Sequence, residues 1–279
     1  MSYKTLMTVV TDTGVSKPPL EASVALAQAW DAHLEAMCMG VDRTQTGYYY
    51  AGANAMILQE TIARAQRDAE AAGQHVRDTL GKSDVRWNVE TGVAQLADIG
   101  RQVAMHARFS DLVILPKPYG ENRGAELEPV IEGALFDGHV PVLVVPEEGL
   151  AKTRPERILL GWDEGDEALS AARAALPFLS AADTVHIVVV DPPAHGPNRS
   201  DPGGLLSQFL ARHGVKVEID VLSKTMPQIS DVLMRHALDI DADMIVMGAY
   251  GHSRFREAIL GGATRNMLEN SPLPLFMAH

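Results

Sequence analysis

Short apolar runs alternate along this chain with segments whose apolar residues recur every three or four positions. In the second half the runs are RILLGW (157–162), VHIVVV (185–190), VKVEIDV (215–221), MIVM (244–247) and PLFM (274–277). They are rich in β-branched residues and nearly continuous, the pattern of strands buried on both faces. Between them lie ALSAARAALPFL, GGLLSQFLARHG, PQISDVLMRHAL and FREAILGGATRNMLEN, which read as amphipathic helices. Gly214 stands where a helix C-terminus favours glycine. The first half repeats the scheme with strands TLMTVV, LEAMCMG, VRWNVE, LVILP and VLVV, and a long helix NAMILQETIARAQRDAEAAGQHVRDTL. Strand–helix alternation of this kind predicts parallel sheets covered by helices, joined by right-handed crossovers.

The two halves resemble each other. SDLVILP (110–116) parallels ADMIVMG (242–248), VPVLVVP (140–146) parallels LPLFMAH (273–279), and TLMTVVTD (5–12) parallels ERILLGWD (156–163). Internal similarity at this scale means two copies of one unit. Domains are expected over 1–148 and 155–279, joined by the charged stretch EEGLAKTRPE (147–156). The first half carries extra residues in DRTQTGYYYAGAN, where Tyr48, Tyr49 and Tyr50 would serve either as a lid or partner surface or as a loop packed on its own domain.

The most informative stretch is GAYGHSRFREAILGGATR (248–265), directly after MIVM. In open parallel sheets ligands bind past the carboxyl ends of strands. Glycine there lets the backbone approach a phosphate, and a helix N-terminus offers unpaired N–H groups and a positive dipole end. The spacing is specific: Gly248, two residues, Gly251, nine residues, Gly261.

The string ADMIVMGAYGHSRFREAILGGATRNMLENSPLPLFM resembles the C-terminal signature of the universal stress protein family. That signature is an apolar strand ending in Gly, two residues, Gly, nine residues, Gly, then Ser or Thr, followed by a helix, a proline-marked turn and a last strand. Two copies in one chain resemble the tandem members. The resemblance covers nearly all of both halves in pattern, and the specific motif only in the second. It implies an α/β fold of two tandem five-stranded, mostly parallel sheets in the order 3-2-1-4-5, flanked by helices and related as a pseudo-two-fold pair. It implies adenine-nucleotide binding in the second half, to ATP, ADP or AMP, with Mg an accompaniment of ATP. Carried over by position, the binding residues are Gly161 and Asp163 after the first strand and Val189 at the end of the second. Met247, Gly248, Gly251, Ser253, Gly261, Gly262 and Ala263 complete the set in the loop.

The departures matter. Gly262 stands where the family's nucleotide binders have Ser or Thr, so one hydroxyl is missing. A hydrogen bond to a charged group contributes about 1.5–3 kcal/mol, so this loss is worth about tenfold to a hundredfold in affinity. Thr264 and Ser253 are the nearby hydroxyls, and Arg254, Arg256 and Arg265 either meet phosphate charge or form a solvated helix face. In the first half Pro116 stands in place of Gly248, and Glu126 and Glu128 lie where phosphate-facing residues would be. Proline removes an N–H and the glutamates repel an anion, so this half is read as a copy that does not bind nucleotide in the family manner.

Composition narrows the field. Acidic residues outnumber basic ones 36 to 24, a formal net charge of −12, which argues against non-specific nucleic-acid binding. No apolar run approaches the ~18 residues of a membrane span, and no signal-peptide pattern opens the chain. With a single cysteine, Cys38, read as a buried small hydrophobe, a cytoplasmic setting is expected. There is no P-loop, no Gly-x-Ser-x-Gly elbow, no His-Glu-x-x-His and no cysteine pair, so neither a hydrolase motif nor a zinc site is signalled. Asp239, Asp241 and Asp243 read as polar residues closing a helix and opening a strand, His236 as structural, and His252 as an exposed turn residue or a phosphate donor. Three functions compete: a stress-response nucleotide-binding module, a nucleotide-independent interaction protein of the same fold, and, last, a slow ATPase, for which no catalytic residue is assigned. The final strands are expected to pair as an intramolecular pseudo-dimer or across a homodimer.

Overall fold

The computed structural model describes residues 2–43, 54–121, 123–192, 201–249 and 262–279, with only the backbone for 54–58. The chain divides into two compact units, Tyr3–Val140 and Pro141–His279.

In the N-terminal unit four strands, β1 (Thr5–Val10), β2 (His33–Asp42), β3 (Arg86–Gln95) and β4 (Leu112–Pro116), lie in the order β3-β2-β1-β4, all parallel. Helices α1 (Lys17–Trp30), α2 (Asn54–Leu80), α3 (Ile99–Ala107) and α4 (Leu127–Glu132) connect and follow them, α4 running into a π turn, Gly133–Asp137. The central strands are sealed from both sides: Leu6, Leu112, Val113 and Ile114 are wholly buried. Gly40 of β2 lets α2 come close, since a Cβ there would collide with the carbonyl of Ala65. Cys38 is buried, and burial pushes its thiol up to about 11 against a weaker opposing pull from Arg77. It is a packing residue, as its apolar surroundings suggested.

The C-terminal unit holds β5 (Val142–Val145), β6 (Arg157–Gly161), β7 (Thr184–Val190), β8 (Val217–Leu222), β9 (Met244–Gly248) and β10 (Leu275–Ala278). Their order is β5-β10-β9-β6-β7-β8. The ladders are parallel except that between β10 and β5, which is antiparallel. Helices α5 (Asp166–Ala174), α6 (Leu176–Leu179), α7 (Gly204–Arg212), α8 (Ile229–Asp239) and α9 (Ala263–Asn270) complete it. Gly214, φ +79°, follows the end of α7 and gives its N–H to Ala211, the conformation and place the sequence assigned it.

The expected pair of five-stranded sheets is therefore corrected to four strands in one unit and six in the other. The reason is β5. It follows the first half in sequence but hydrogen-bonds to β10, with Val144 opposite Leu275 and Val142 opposite Met277. The units accordingly part at Val140/Pro141, ahead of the expected linker at 147–156. Within each unit the expected order of strands one to four holds.

One device recurs in both units. Asp243, just before β9, accepts the backbone N–H groups of Glu156 (2.7 Å) and Arg157 (3.1 Å) as β6 begins, and Lys152 approaches it to 3.2 Å. Asp111, just before β4, accepts those of Lys4 (2.6 Å) and Thr5 (2.9 Å) at the start of β1. Partial burial would raise the Asp243 carboxyl, but the two backbone donors and Lys152 outweigh it and hold the group below the usual carboxylate range. A lowered carboxyl stabilises the fold above the unfolded-state pKa of about 3.9, and that stabilisation disappears as pH falls through the folded value. Asp243→Ala is expected to lose about 1.5–3 kcal/mol at pH 7. In urea titrations the gap to wild type should close below about pH 4; a gap independent of pH would mean that the charge plays no part.

Candidate functional site

The chain leaves β6 at Gly161, continues the ladder by one bond from the Trp162 N–H to Val188 O (2.9 Å), and turns at Asp163. The turn is held by the Asp163 carboxylate, whose Oδ1 accepts the Gly165 N–H at 2.9 Å. The sequence continues into α5, with Asp166 and Glu167 in its first turn, where acids favour a helix N-terminus. Next to β6, β9 ends at Met247 and Gly248. Helix α9 starts at Ala263 with Gly262 as its N-cap.

These ends enclose a cleft of about 180 Å3. Gly161, Asp163, Met247, Gly248 and Ala263, all read from the sequence as binding positions, line it. Gly262 borders it as the α9 cap. Val189 does not line the cleft. Its methyl groups point to the opposite face of β7, beside Gly203, and its neighbours Val188 and Val190 face the cleft instead, as strand alternation requires. Gly251, Ser253 and Gly261 lie outside the described residues, as do Arg254, Arg256, His252 and the Tyr48–Tyr50 insertion. Arg265 is exposed on α9.

Other lining residues were not read from the sequence as a site. Trp162 lies between two residues that were. Ile229 and Leu233 stand one turn apart on α8. Thr264, named from the sequence as a nearby hydroxyl, also lines the cleft, buried as the second residue of α9. The i, i+4 spacing of Ile229 and Leu233 was visible, but it reads as core on any amphipathic helix. The cleft thus has apolar walls for a flat ring, a carboxylate at one side and a helix N-terminus at the other. Its volume is below the ~300–1,000 Å3 of a site enclosing a whole drug-sized ligand. The cleft is the size of a small flat group rather than of a whole drug-sized molecule.

Gly248 has a second role. A Cβ there would lie 2.6 Å from Ala168 N and 2.7 Å from the Glu167 carbonyl carbon. The glycine is required for β9 to pass the first turn of α5, whatever the loop beyond it binds.

The corresponding strand ends of the N-terminal unit are built differently. A cleft of about 470 Å3 there is lined by charged side chains of both signs, among them Asp12, Arg43, Arg64, Asp68 and Glu126. Asp12 copies Asp163, its Oδ1 accepting the N–H groups of Gly14 (2.8 Å) and Val15 (3.0 Å). Glu126, 3% exposed, accepts Arg43 Nη2 at 2.8 Å and so places a paired carboxylate inside the cleft. Glu128 takes the Tyr119 hydroxyl at 2.7 Å.

Parallel strands with helical crossovers, and a cleft where the strand order reverses, define a doubly wound α/β module. Residues 155–279 match the model of the universal stress protein family. A curated universal stress protein of Synechocystis sp. is 26% identical over 157 residues, covering 54% of this chain; the match spans half the length of that relative. Among solved structures, a universal stress protein from Archaeoglobus fulgidus superposes with a TM-score of 0.74 at 16% identity, over 98% of this chain and 95% of its own. A second, described as a putative universal stress protein from Pseudomonas aeruginosa, gives 0.59 at 14%, over 99% and 93%. At those identities the likeness is one of fold.

Proposed function

We propose that this chain is a tandem universal stress protein that binds an adenine nucleotide, ATP, ADP or AMP, in its C-terminal unit alone, and acts as a nucleotide-responsive module in stress. The observation that carries the reading is the cleft past β6 and β9. Five positions read in advance from the family pattern converge there: Gly161, Asp163, Met247, Gly248 and Ala263. The base would lie between Trp162, Val188 and Leu233. Asp163 would take ribose hydroxyls through the oxygen not used by Gly165. Phosphates would meet the N–H groups at the start of α9, with Gly251, Ser253 and Gly261 contributed by the loop. In the N-terminal unit the Glu126–Arg43 pair occupies the corresponding space and opposes phosphate.

The competing reading, an interaction protein independent of nucleotide, is supported by Gly248, whose packing against α5 accounts for that glycine without a ligand. Calorimetric titration of ATP and AMP, with and without Mg, into protein stripped of ligand by denaturation and refolding separates the two. One site per chain is expected; no heat and no rise in melting temperature would leave the interaction reading standing. The same titration tests the missing hydroxyl. Gly262→Ser restores it at the α9 N-cap and is expected to tighten binding by about tenfold or more, through one added charge-assisted bond. Unchanged affinity would place the phosphates away from residue 262.

A further inference from the structure

The N-terminal unit carries a second group of side chains. Glu35 of β2, Glu90 of β3 and His106 of α3 converge, with their potential ligand atoms all within 4.8 Å of one another. Glu35 stands opposite Asn88 and Glu90 opposite Met37, so both carboxylates share one sheet face, and His106 approaches them from α3. His106 Nδ1 lies 3.3 Å from Glu35 Oε1 and also 3.3 Å from Glu90 Oε2.

We propose that Glu35, Glu90 and His106 form a binding site for a divalent cation of the zinc type. The contact to Glu35 is a long hydrogen bond, and it leaves Glu90 at the same distance from the same nitrogen. A single N–H cannot aim at both oxygens, and charge-assisted N–H···O⁻ bonds shorten to about 2.7–2.9 Å. Both distances suit ligands about a common ion. Zinc binds imidazole nitrogen and carboxylate oxygen at about 2.0–2.2 Å, so neighbouring ligands in a tetrahedron stand about 3.3–3.5 Å apart. One imidazole and two carboxylates leave a fourth position for water, on the side where Glu90 is half exposed. The ligand set is too small and too nitrogen-bearing for the oxygen cages that calcium and magnesium prefer.

The other unit supplies a contrast. His186 of β7, Asp220 of β8 and His236 of α8 occupy the matching strands and helix. There the contacts are direct: His186 Nδ1 to Asp220 Oδ2 at 2.9 Å, and His236 Nε2 to the same oxygen at 2.8 Å. Burial would raise the Asp220 carboxyl, but its bonds to the two histidines prevail and lower it. That group closes on itself by hydrogen bonds. In the N-terminal group one imidazole nitrogen instead faces two separate carboxylates, each at 3.3 Å. The sequence showed no such site because its members come from three elements, with none of the short spacings of a zinc motif.

The test is titration of Zn2+ into the full-length protein, freed of metal by chelation and without nucleotide, followed by calorimetry and by melting temperature. The tightest site is expected at one Zn2+ per chain, raising the melting temperature. It should be weakened at least tenfold in both His106→Gln and Glu90→Gln, and unchanged in Glu70→Gln, an exposed control on α2. Magnesium at millimolar concentration should not compete. Glu90→Gln removes a half-exposed group and keeps the test valid if His106→Gln fails to fold. No saturable binding, or binding that either folded variant leaves unchanged, would overturn the proposal and reduce the group to a histidine bridged between two carboxylates.

Discussion

Gly161→Val should weaken ATP and AMP binding by at least a hundredfold while leaving the protein as stable as wild type. A Cβ at Gly161 has ordinary room: its nearest neighbours would be Leu233 Cδ1 and Met247 Cβ, each at 3.7 Å, and the backbone is not in a glycine-only conformation. Valine also suits the end of a strand. Its γ-methyl groups, however, would extend into a cleft of only about 180 Å3 that Gly161 helps to line. The fold is kept and the ring's place is taken. Two readouts should agree. Calorimetric heat should vanish, and the stabilisation of about 2.7 kcal/mol that a ligand confers at a hundred times its Kd should be absent from the variant's melting curve. Wild-type affinity in a folded Gly161→Val protein would move the site elsewhere.

Gly248→Ala should do the reverse and destabilise the protein with no ligand present. The added methyl would meet backbone atoms of Glu167 and Ala168 at 2.6–2.7 Å. Neither is the end of a flexible side chain, so β9 or the first turn of α5 must shift. Overpacking of this kind is worth about 1–3 kcal/mol. Urea unfolding of the ligand-free protein would show the loss as a lowered midpoint with an unchanged slope. A Gly248→Ala variant as stable as wild type, but unable to bind nucleotide, would assign the glycine to phosphate approach rather than to packing. The two substitutions thus ask separate questions of two glycines that the sequence pattern treats alike.

Much of this was legible in the chain. The runs TLMTVV, LVILP and VLVV coincide with β1, β4 and β5, and NAMIL to RDTL with α2, because strands covered on both faces and a long amphipathic helix leave strong periodic signals. Gly161 and Asp163 were placed correctly at a strand end because the repeat fixed where β6 stops. Val189 was displaced by one residue because VVV offers no polar position to set its face, and Val188 and Val190 line the cleft instead. The two final strands were expected to pair, and β5 does lie antiparallel to β10; that β5 groups with the second compact unit is a long-range outcome that local pattern does not express. The packing partner of Gly248 and the convergence of Glu35, Glu90 and His106 were hidden for the same reason: each depends on elements far apart in sequence meeting at one point.

The placement of β5 also bears on how the protein can be dissected. A fragment begun at residue 155, where the family match starts, would retain β10 but discard the strand that covers its outer edge. The sequence LFMA would then present a bare row of backbone donors and acceptors flanked by apolar side chains, the kind of margin that recruits another chain. Dimers or aggregates of such an excised half would report a missing strand rather than a native interface. A fragment begun at Pro141 would keep β5 paired along β10.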